Sequence, residues 1–332
     1  MNTPVLAAEA LTIGYKTRRQ QTTVAADINV TLHAGELACL IGPNGAGKST
    51  LLRTVAGMQK PLSGSVSLAG DNIAQLSAIE RARRLSIVLT ERPDAGLMTG
   101  YALVALGRHP HTGWSGQLSA QDERAVREAV TAVGADNIAN KPIGEMSDGQ
   151  RQKIMIARAL AQQPALLLLD EPTAYLDLPR RVEIMRLLRD IARDRKRAVL
   201  LSTHDLDLAL RTADRIWLLA DGELVAGTPE DLVLNGAFAQ AFRSMGATFD
   251  ANSGAFTMEL PTSAEICVNG SGLAYTWTVR ALERAGYAIT TDAKTTITIT
   301  DDHWLLADTN AASRYNTIED LLAALTQTHH TR

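Results

Sequence analysis

Hydrophobic positions along the chain fall into short runs divided by polar, helix-period stretches. Val5–Ile13 and Val24–Leu32 read as strands joined through the polar loop Lys16–Thr23, and His33–Glu36 turns into the apolar run Leu37–Ile41. Leu51–Val55 starts a helix, Pro61–Gly64 is a turn, and Ser65–Leu68 is a short strand. Ala69-Gly70-Asp71 suggests a hairpin before the helical stretch Ser77–Arg84, and Leu85–Leu89 returns as a strand. Tyr101–Asp136 is helical around a surface loop, Arg108–Trp114. A further helix, Arg151–Gln163, is ended by Pro164. Leu166–Leu169 and Ala198–Ser202 are continuously apolar, as strands buried on both faces require. Between them runs a basic helix whose Arg180, Arg181, Arg186, Arg189 and Arg193 read as solvent-facing. Helix Asp207–Thr212, strand Arg215–Ala220 and the turn Asp221-Gly222 complete an alternation that predicts an α/β layered domain with a mixed, largely parallel sheet.

From about Ala247 the pattern changes. Phe256–Leu260 and Glu265–Val268 read as strands. Tyr275–Gly286 reads as a helix with Trp277, Val279, Leu282 and Ala285 on one face. Strands at Tyr287–Thr290, Thr296–Thr300 and His303–Leu306 and a helix at Thr317–Thr326 follow. The expected division is a first domain over 1–246, with a helical subdomain at about 92–163, and a small C-terminal α+β accessory domain over 247–332. Asn269-Gly-Ser-Gly272 lies between a strand and a helix, where it either exposes N–H groups to an anion or makes a tight connection.

Composition narrows the classes. Apolar residues make up 45% and charged residues 21%, ordinary for a chain with a substantial core. A net charge of −3 argues against a nucleic-acid partner, which needs a concentrated basic surface. The two cysteines, Cys39 and Cys267, fit a reducing compartment, Cys39 as a buried small hydrophobe. No signal peptide or membrane-length apolar run is expected, so the cytoplasm is the predicted compartment. His109 and His111 lack partners at ligand spacing and read as part of a structured loop.

The strongest chemistry lies in Gly42, Pro43, Asn44, Gly45, Ala46, Gly47, Lys48, Ser49 and Thr50, set between a strand and a helix. In that setting the glycines let successive N–H groups face phosphate oxygens, and the helix N-terminus adds its dipole. Lys48 is then expected at the β- and γ-phosphates and the Ser49 hydroxyl on Mg²⁺. Asp170 and Glu171 follow a buried strand directly, a costly place for carboxylates unless they meet a cation or move a proton. Ser147 is placed to cap the helix that follows it.

These blocks, in order over about residues 3–235, resemble the ATP-binding subunit of ABC transporters, a P-loop NTPase fold. Met146-Ser147-Asp148-Gly149-Gln150 is similar to the family's signature, Leu166–Asp170 to its Walker B strand, and Ala174–Asp177 to its D-loop. The resemblance implies that ATP is the nucleotide, with Tyr15 stacked on adenine, Asp170 on Mg²⁺, Glu171 polarising the attacking water and His204 contacting the γ-phosphate. It implies that Ser147, Asp148, Gly149 and Gln150 serve the nucleotide of an opposite subunit, hence a symmetric homodimer with Asp177 in the D-loop. Val104–Arg108 followed by His109-Pro110-His111 resembles the importers of iron–siderophore complexes, haem and cobalamin. That implies transmembrane permease subunits, a substrate-binding protein served indirectly, and a peripheral position on the cytoplasmic face of the cell membrane. An exporter subunit and a soluble ABC protein of translation or repair are the rival readings. Two positions depart from the family pattern. Glu91 stands where the Q-loop glutamine belongs and is still placed towards Mg²⁺, and Asp148 replaces the first signature glycine.

Overall fold

Four consecutive leucines suit the middle of a sheet covered on both faces, and Leu166–Leu169 lie there with at most 1% exposure. The computed structural model describes residues 3–17, 20–90, 96–113, 116–243, 247–251, 254–258, 262–300, 302–308 and 312–330. The central six-stranded sheet runs Glu223–Gly227, Arg215–Ala220, Leu37–Ile41, Ala198–Ser202, Leu166–Asp170, Leu85–Val88 in spatial order. Its strands are parallel except for the outer pair, Glu223–Gly227 on Arg215–Ala220. Alternate leucines feed two cores. Leu167, Leu169, Val199 and Leu201 face the helical side, while Leu166, Leu168, Leu200 and Trp217 face the other. Cys39 is fully buried in the first core, and that burial, with Asp214 nearby, pushes its thiol far above the ordinary range.

The second core is closed by helix Lys48–Val55 and by an antiparallel sheet ordered Gln21–Leu32, Leu6–Lys16, Ser63–Leu68, Asp71–Asn72. The helical subdomain contains Gly100–Ala105, Ala120–Ala132 and Asp148–Ala161, which pack on one another. Two of these helices start with a capping box, Ser119 with Asp122 and Ser147 with Gln150. Arg108, expected in a surface loop, is instead 3% exposed. Its Nε donates to Asp122 Oδ1 at 2.8 Å and its Nη1 to Ala161 O at 2.8 Å, tying three elements together. His111, also in that loop, sits with Nε2 2.9 Å from Gln162 O.

The basic helix Leu178–Asp194 needs a similar correction. Its buried stripe is Ile184, Met185, Leu188, Ile191 and Ala192, and Arg181 and Arg189 lie one turn either side of Met185. Arg186 and Arg193 face solvent, whereas Arg181 donates to Leu176 O at 2.8 Å and the Arg189 Nε is buried.

The chain divides into compact units at Met1–Thr257 and Met258–Arg332. The break falls later than the sequence pattern suggests because a hairpin, Ala247–Asp250 with Ala255–Met258, closes onto the first unit. All four phenylalanines of the chain meet there. Phe238 stacks on Phe249 at 5.3 Å, Phe242 meets Phe256 edge-on at 4.8 Å, and Phe249 lies 5.1 Å from Phe256.

In the second unit Ala264–Asn269 lies between Tyr287–Ile289 and Thr296–Ile299, both parallel to it, and Trp304–Ala307 and Ala312–Tyr315 continue antiparallel. Tyr287–Ile289 pairs with the first half of the central strand and Thr296–Thr298 with the second half. The chain therefore steps across without the long crossover parallel strands otherwise require. Helices Gly272–Arg284 and Ile318–His330 cover Ile266, Val268 and Ile297, with Leu282, Leu321 and Leu325 packed in the same core. The inward face of Gly272–Arg284 is Thr278, Ala281 and Leu282 rather than Trp277 and Ala285, both of which are exposed. Thr278 is drawn in because its hydroxyl donates to Ala274 O at 2.7 Å and accepts from Trp304 Nε1 at 2.7 Å.

Candidate active site

Three neighbouring parallel strands end side by side, and the predicted chemistry sits on those ends. Leu37–Ile41 delivers the glycine loop, Ala198–Ser202 delivers Thr203-His204, and Leu166–Asp170 delivers Asp170-Glu171. In an open parallel sheet this carboxyl edge is where ligands bind.

The glycine loop keeps its shape because side chains are excluded from it. A Cβ at Gly42 would lie 1.9 Å from the Leu219 carbonyl oxygen. One at Gly47, whose φ is +105°, would lie 2.2 Å from Val24 Cγ1. Asn44, Gly45 and Ser49 are exposed along the loop, Pro43 and Ala46 are half-buried, and Lys48 and Thr50 are buried. Lys48 folds back, its Nζ donating to Gly42 O at 2.8 Å and Pro43 O at 3.0 Å. Burial lowers its pKa, while Glu171 and Asp170 hold it up. Tyr15 OH lies 2.7 Å from Thr50 Oγ1, and its ring is half-exposed beside the loop.

Asp170 and Ser49 line one cleft of about 160 Å³ together with Thr90 and Arg53. Oxygen donors on that cleft, one of them a carboxylate, suit a hard divalent cation that also binds phosphate. Ser202, fully buried, was not foreseen as a site residue. Its Oγ donates to Asp170 Oδ1 at 2.6 Å and accepts from the Glu171 N–H at 2.9 Å. The signal for it in the sequence is one hydroxyl closing an otherwise apolar strand. Thr90 Oγ1 donates to Asp170 O at 2.8 Å, which anchors the end of a fourth strand, Leu85–Val88, at the same place.

Glu171 has a left-handed backbone, φ +49°, a conformation that costs on the order of 1–3 kcal/mol for a non-glycine residue. Its Oε1 lies 2.6 Å from His204 Nε2, and both side chains remain partly open to solvent. The pair is suited to hold and orient a polar molecule rather than to build a core.

The signature residues stand elsewhere. Ser147 Oγ accepts from Gln150 N at 3.4 Å, Gln150 Oε1 accepts from Ser147 N at 3.1 Å, and Asp148 pairs with Arg151 at 3.5 Å. Gly149 lies under the Arg180 side chain. Asp177 caps the next helix, its Oδ1 accepting from Arg180 N at 3.0 Å. Glu91 lies outside the described residues.

A strand–glycine loop–helix unit with acidic strand ends and a separate helical subdomain defines an ATP-hydrolysing cassette. Residues 25–174 match the family described as ABC transporter, and residues 263–326 match the iron ABC transporter C-terminal domain. An ABC transporter ATP-binding protein of Methanocaldococcus jannaschii is 45% identical over 69% of this chain and 78% of its own length. The achromobactin transport ATP-binding protein of Dickeya dadantii is 41% identical over 69% and 84%. The cobalamin import ATP-binding protein of Halobacterium salinarum is 37% identical over 81% and 69%. Among solved structures, a dimeric post-hydrolysis ATP-binding cassette bound to ADP and Pi has a TM-score of 0.58 at 28% identity, covering 68% of this chain and 98% of that one. The chain belongs to the ABC transporter family, as an ATP-binding subunit and an ATPase.

Proposed function

We propose that this ATPase powers import of an iron chelate through a membrane permease. The observation that carries the cargo class is the match of residues 263–326 to the iron ABC transporter C-terminal domain. The Dickeya relative, named for transport of achromobactin, supports it. Two copies are proposed to sandwich two ATP molecules, each between one copy's glycine loop and the other's signature. The dimeric cassette supports that arrangement. Among the described residues no helix is long and apolar enough to cross a membrane, which accords with peripheral attachment to permease subunits on the cytoplasmic face. A substrate-binding protein would then present the chelate from the other side.

In this reading the loop N–H groups and Lys48 bind the phosphates, and Tyr15 offers its ring to the adenine. Mg²⁺, held by Ser49 and Asp170, would neutralise charge on the β- and γ-phosphates. Ser202 fixes the Asp170 carboxylate by a 2.6 Å hydrogen bond. Glu171 accepts a proton from the attacking water, and His204, 2.6 Å away, orients that carboxylate towards the γ-phosphate. Ser147 and the N–H groups of Gly149 and Gln150 meet the opposite nucleotide, and Asp177 holds the D-loop turn.

Co-purification with its permease, reconstitution in liposomes and ATP-driven uptake of labelled ferric siderophore test the proposal. Uptake of cobalamin and of no ferric chelate would favour the second reading, which rests on the Halobacterium relative. Absence of any permease in the purified material would overturn both.

A further inference from the structure

The signature of this chain carries a carboxylate, Asp148, on the helix turn that the sandwich reading assigns to an incoming phosphate. An aspartate suits a helix N-terminus but repels an anion arriving there. Arg151 pairs with it at 3.5 Å, a long contact that leaves the turn close to neutral. A second cation stands on the same turn. The side chain of Arg180, from the helix that follows Asp177, lies against Gly149. A Cβ built there would lie 3.3 Å from Arg180 Cδ, 3.6 Å from Cγ and 3.7 Å from Nε.

Arg180 is fixed from behind. Its Nη1 bonds Glu183 Oε2 at 2.7 Å, and Glu183 Oε1 also meets Lys153 Nζ at 2.5 Å, on the signature helix itself. The ion pairs with Lys153 and Arg180 hold the Glu183 carboxyl below the usual carboxylate range. One carboxylate is thus shared by two cations, and with Asp177 also close to Arg180 the cluster is balanced while Arg180 is present and net negative without it. With 56% of its side chain exposed, Arg180 can meet a ligand arriving at the signature turn.

We infer that Arg180 is a phosphate-contacting residue of the signature half-site, facing the terminal phosphate of the nucleotide held by the opposite subunit and offsetting Asp148. This rests on the sandwich dimer proposed above.

The test uses the full chain carrying Glu171→Gln as parent, with the ATP concentration for half-maximal dimerisation read by analytical ultracentrifugation. Arg180→Ala should raise that concentration about tenfold, the scale of one charge-assisted contact, and Arg180→Lys should fall between. Adding Asp148→Gly to Arg180→Ala should bring it back to within about threefold of the parent, because the two charges are coupled. Affinity of the monomer for a fluorescent ATP analogue and the thermal midpoint should not move. Unchanged dimerisation in Arg180→Ala and in Arg180→Gln would overturn the inference alone. So would a loss of dimer matched by a fall in thermal midpoint, which marks a purely structural role. A parent that stays monomeric at saturating ATP would overturn the sandwich and this inference together.

Discussion

Asp122→Asn removes the charge from a buried clasp and should destabilise the helical subdomain by about 3 kcal/mol, the lower end of the cost of breaking one partner of a buried pair. Arg108 and Asp122 expose 3% and 8% of their side chains, so the guanidinium cannot recover water when its counter-charge is lost. It keeps Ala161 O at 2.8 Å and Gln163 Oε1 at 3.1 Å, which is why the lower end applies. The carboxyl is held down to about 2 from 3.8, first by the Ser119 hydroxyl and backbone N–H and then by Arg108. That gap, 3.8 minus 2, corresponds to about 2 kcal/mol at 1.36 kcal/mol per unit. Its sign follows from proton binding. The unfolded chain takes up the proton first, so the contribution is full above the unfolded value and is lost as pH falls from about 4 towards 2. Arg108→Met should cost less than Asp122→Asn, because Asp122 keeps its two Ser119 donors and its favourable place at a helix N-terminus. Urea unfolding followed by far-UV circular dichroism at neutral pH, repeated at acid pH, reads all three values. A loss below about 1 kcal/mol for Asp122→Asn, or a larger one for Arg108→Met, would refute the reasoning.

Glu171→Gln should slow hydrolysis by about 10²–10⁴ while ATP binding persists and a dimer accumulates; a monomeric, fully active variant would remove Glu171 from the chemistry. Lys48→Ala should abolish nucleotide binding in a fluorescence titration, and retained affinity would contradict the loop assignment. Ser202→Ala should raise the Mg²⁺ concentration for half-maximal ATPase activity and lower turnover about tenfold, the scale of losing a partner that orients a metal ligand. Unchanged Mg²⁺ dependence would reduce Ser202 to a core hydroxyl. Glu91→Gln should shift the same Mg²⁺ titration, since residue 91 directly follows Thr90, whose hydroxyl is bonded to Asp170 O; an unchanged curve would detach Glu91 from the site.

The core of the first unit was legible because each of its signals is local. A glycine loop between a strand and a helix, an apolar strand ending in two carboxylates and a serine ahead of a helix are each written in fewer than ten consecutive residues. Each rests on properties of neighbouring residues: side chains kept out of the loop, apolar positions in mid-sheet and a hydroxyl at a helix start. Ser147 capping its helix and Leu166–Leu169 in mid-sheet follow in the same way. Expectations failed where a residue's role is set by something distant in the chain. Arg108 looked like a loop arginine until Asp122 and Ala161 came within reach of it. Trp277 looked like core until Thr278 was claimed by Trp304. The domain limit moved because four phenylalanines, unremarkable singly in sequence, gather at one hairpin.

The same distinction explains why charges misled more than apolar residues did. A leucine's preference is non-directional, and any core of the right period satisfies it. An arginine's place depends on which single acceptor lies opposite its planar fork, and helix periodicity says nothing about that acceptor. The helix after the D-loop shows the consequence. Its arginines share one basic pattern, yet Arg186 points to solvent, Arg181 bonds the Leu176 carbonyl, and Arg180 lies across the signature glycine. That last contact joins the segment carrying Asp177 to the helix carrying Ser147, and the Glu183–Lys153 pair ties the same two helices a second time.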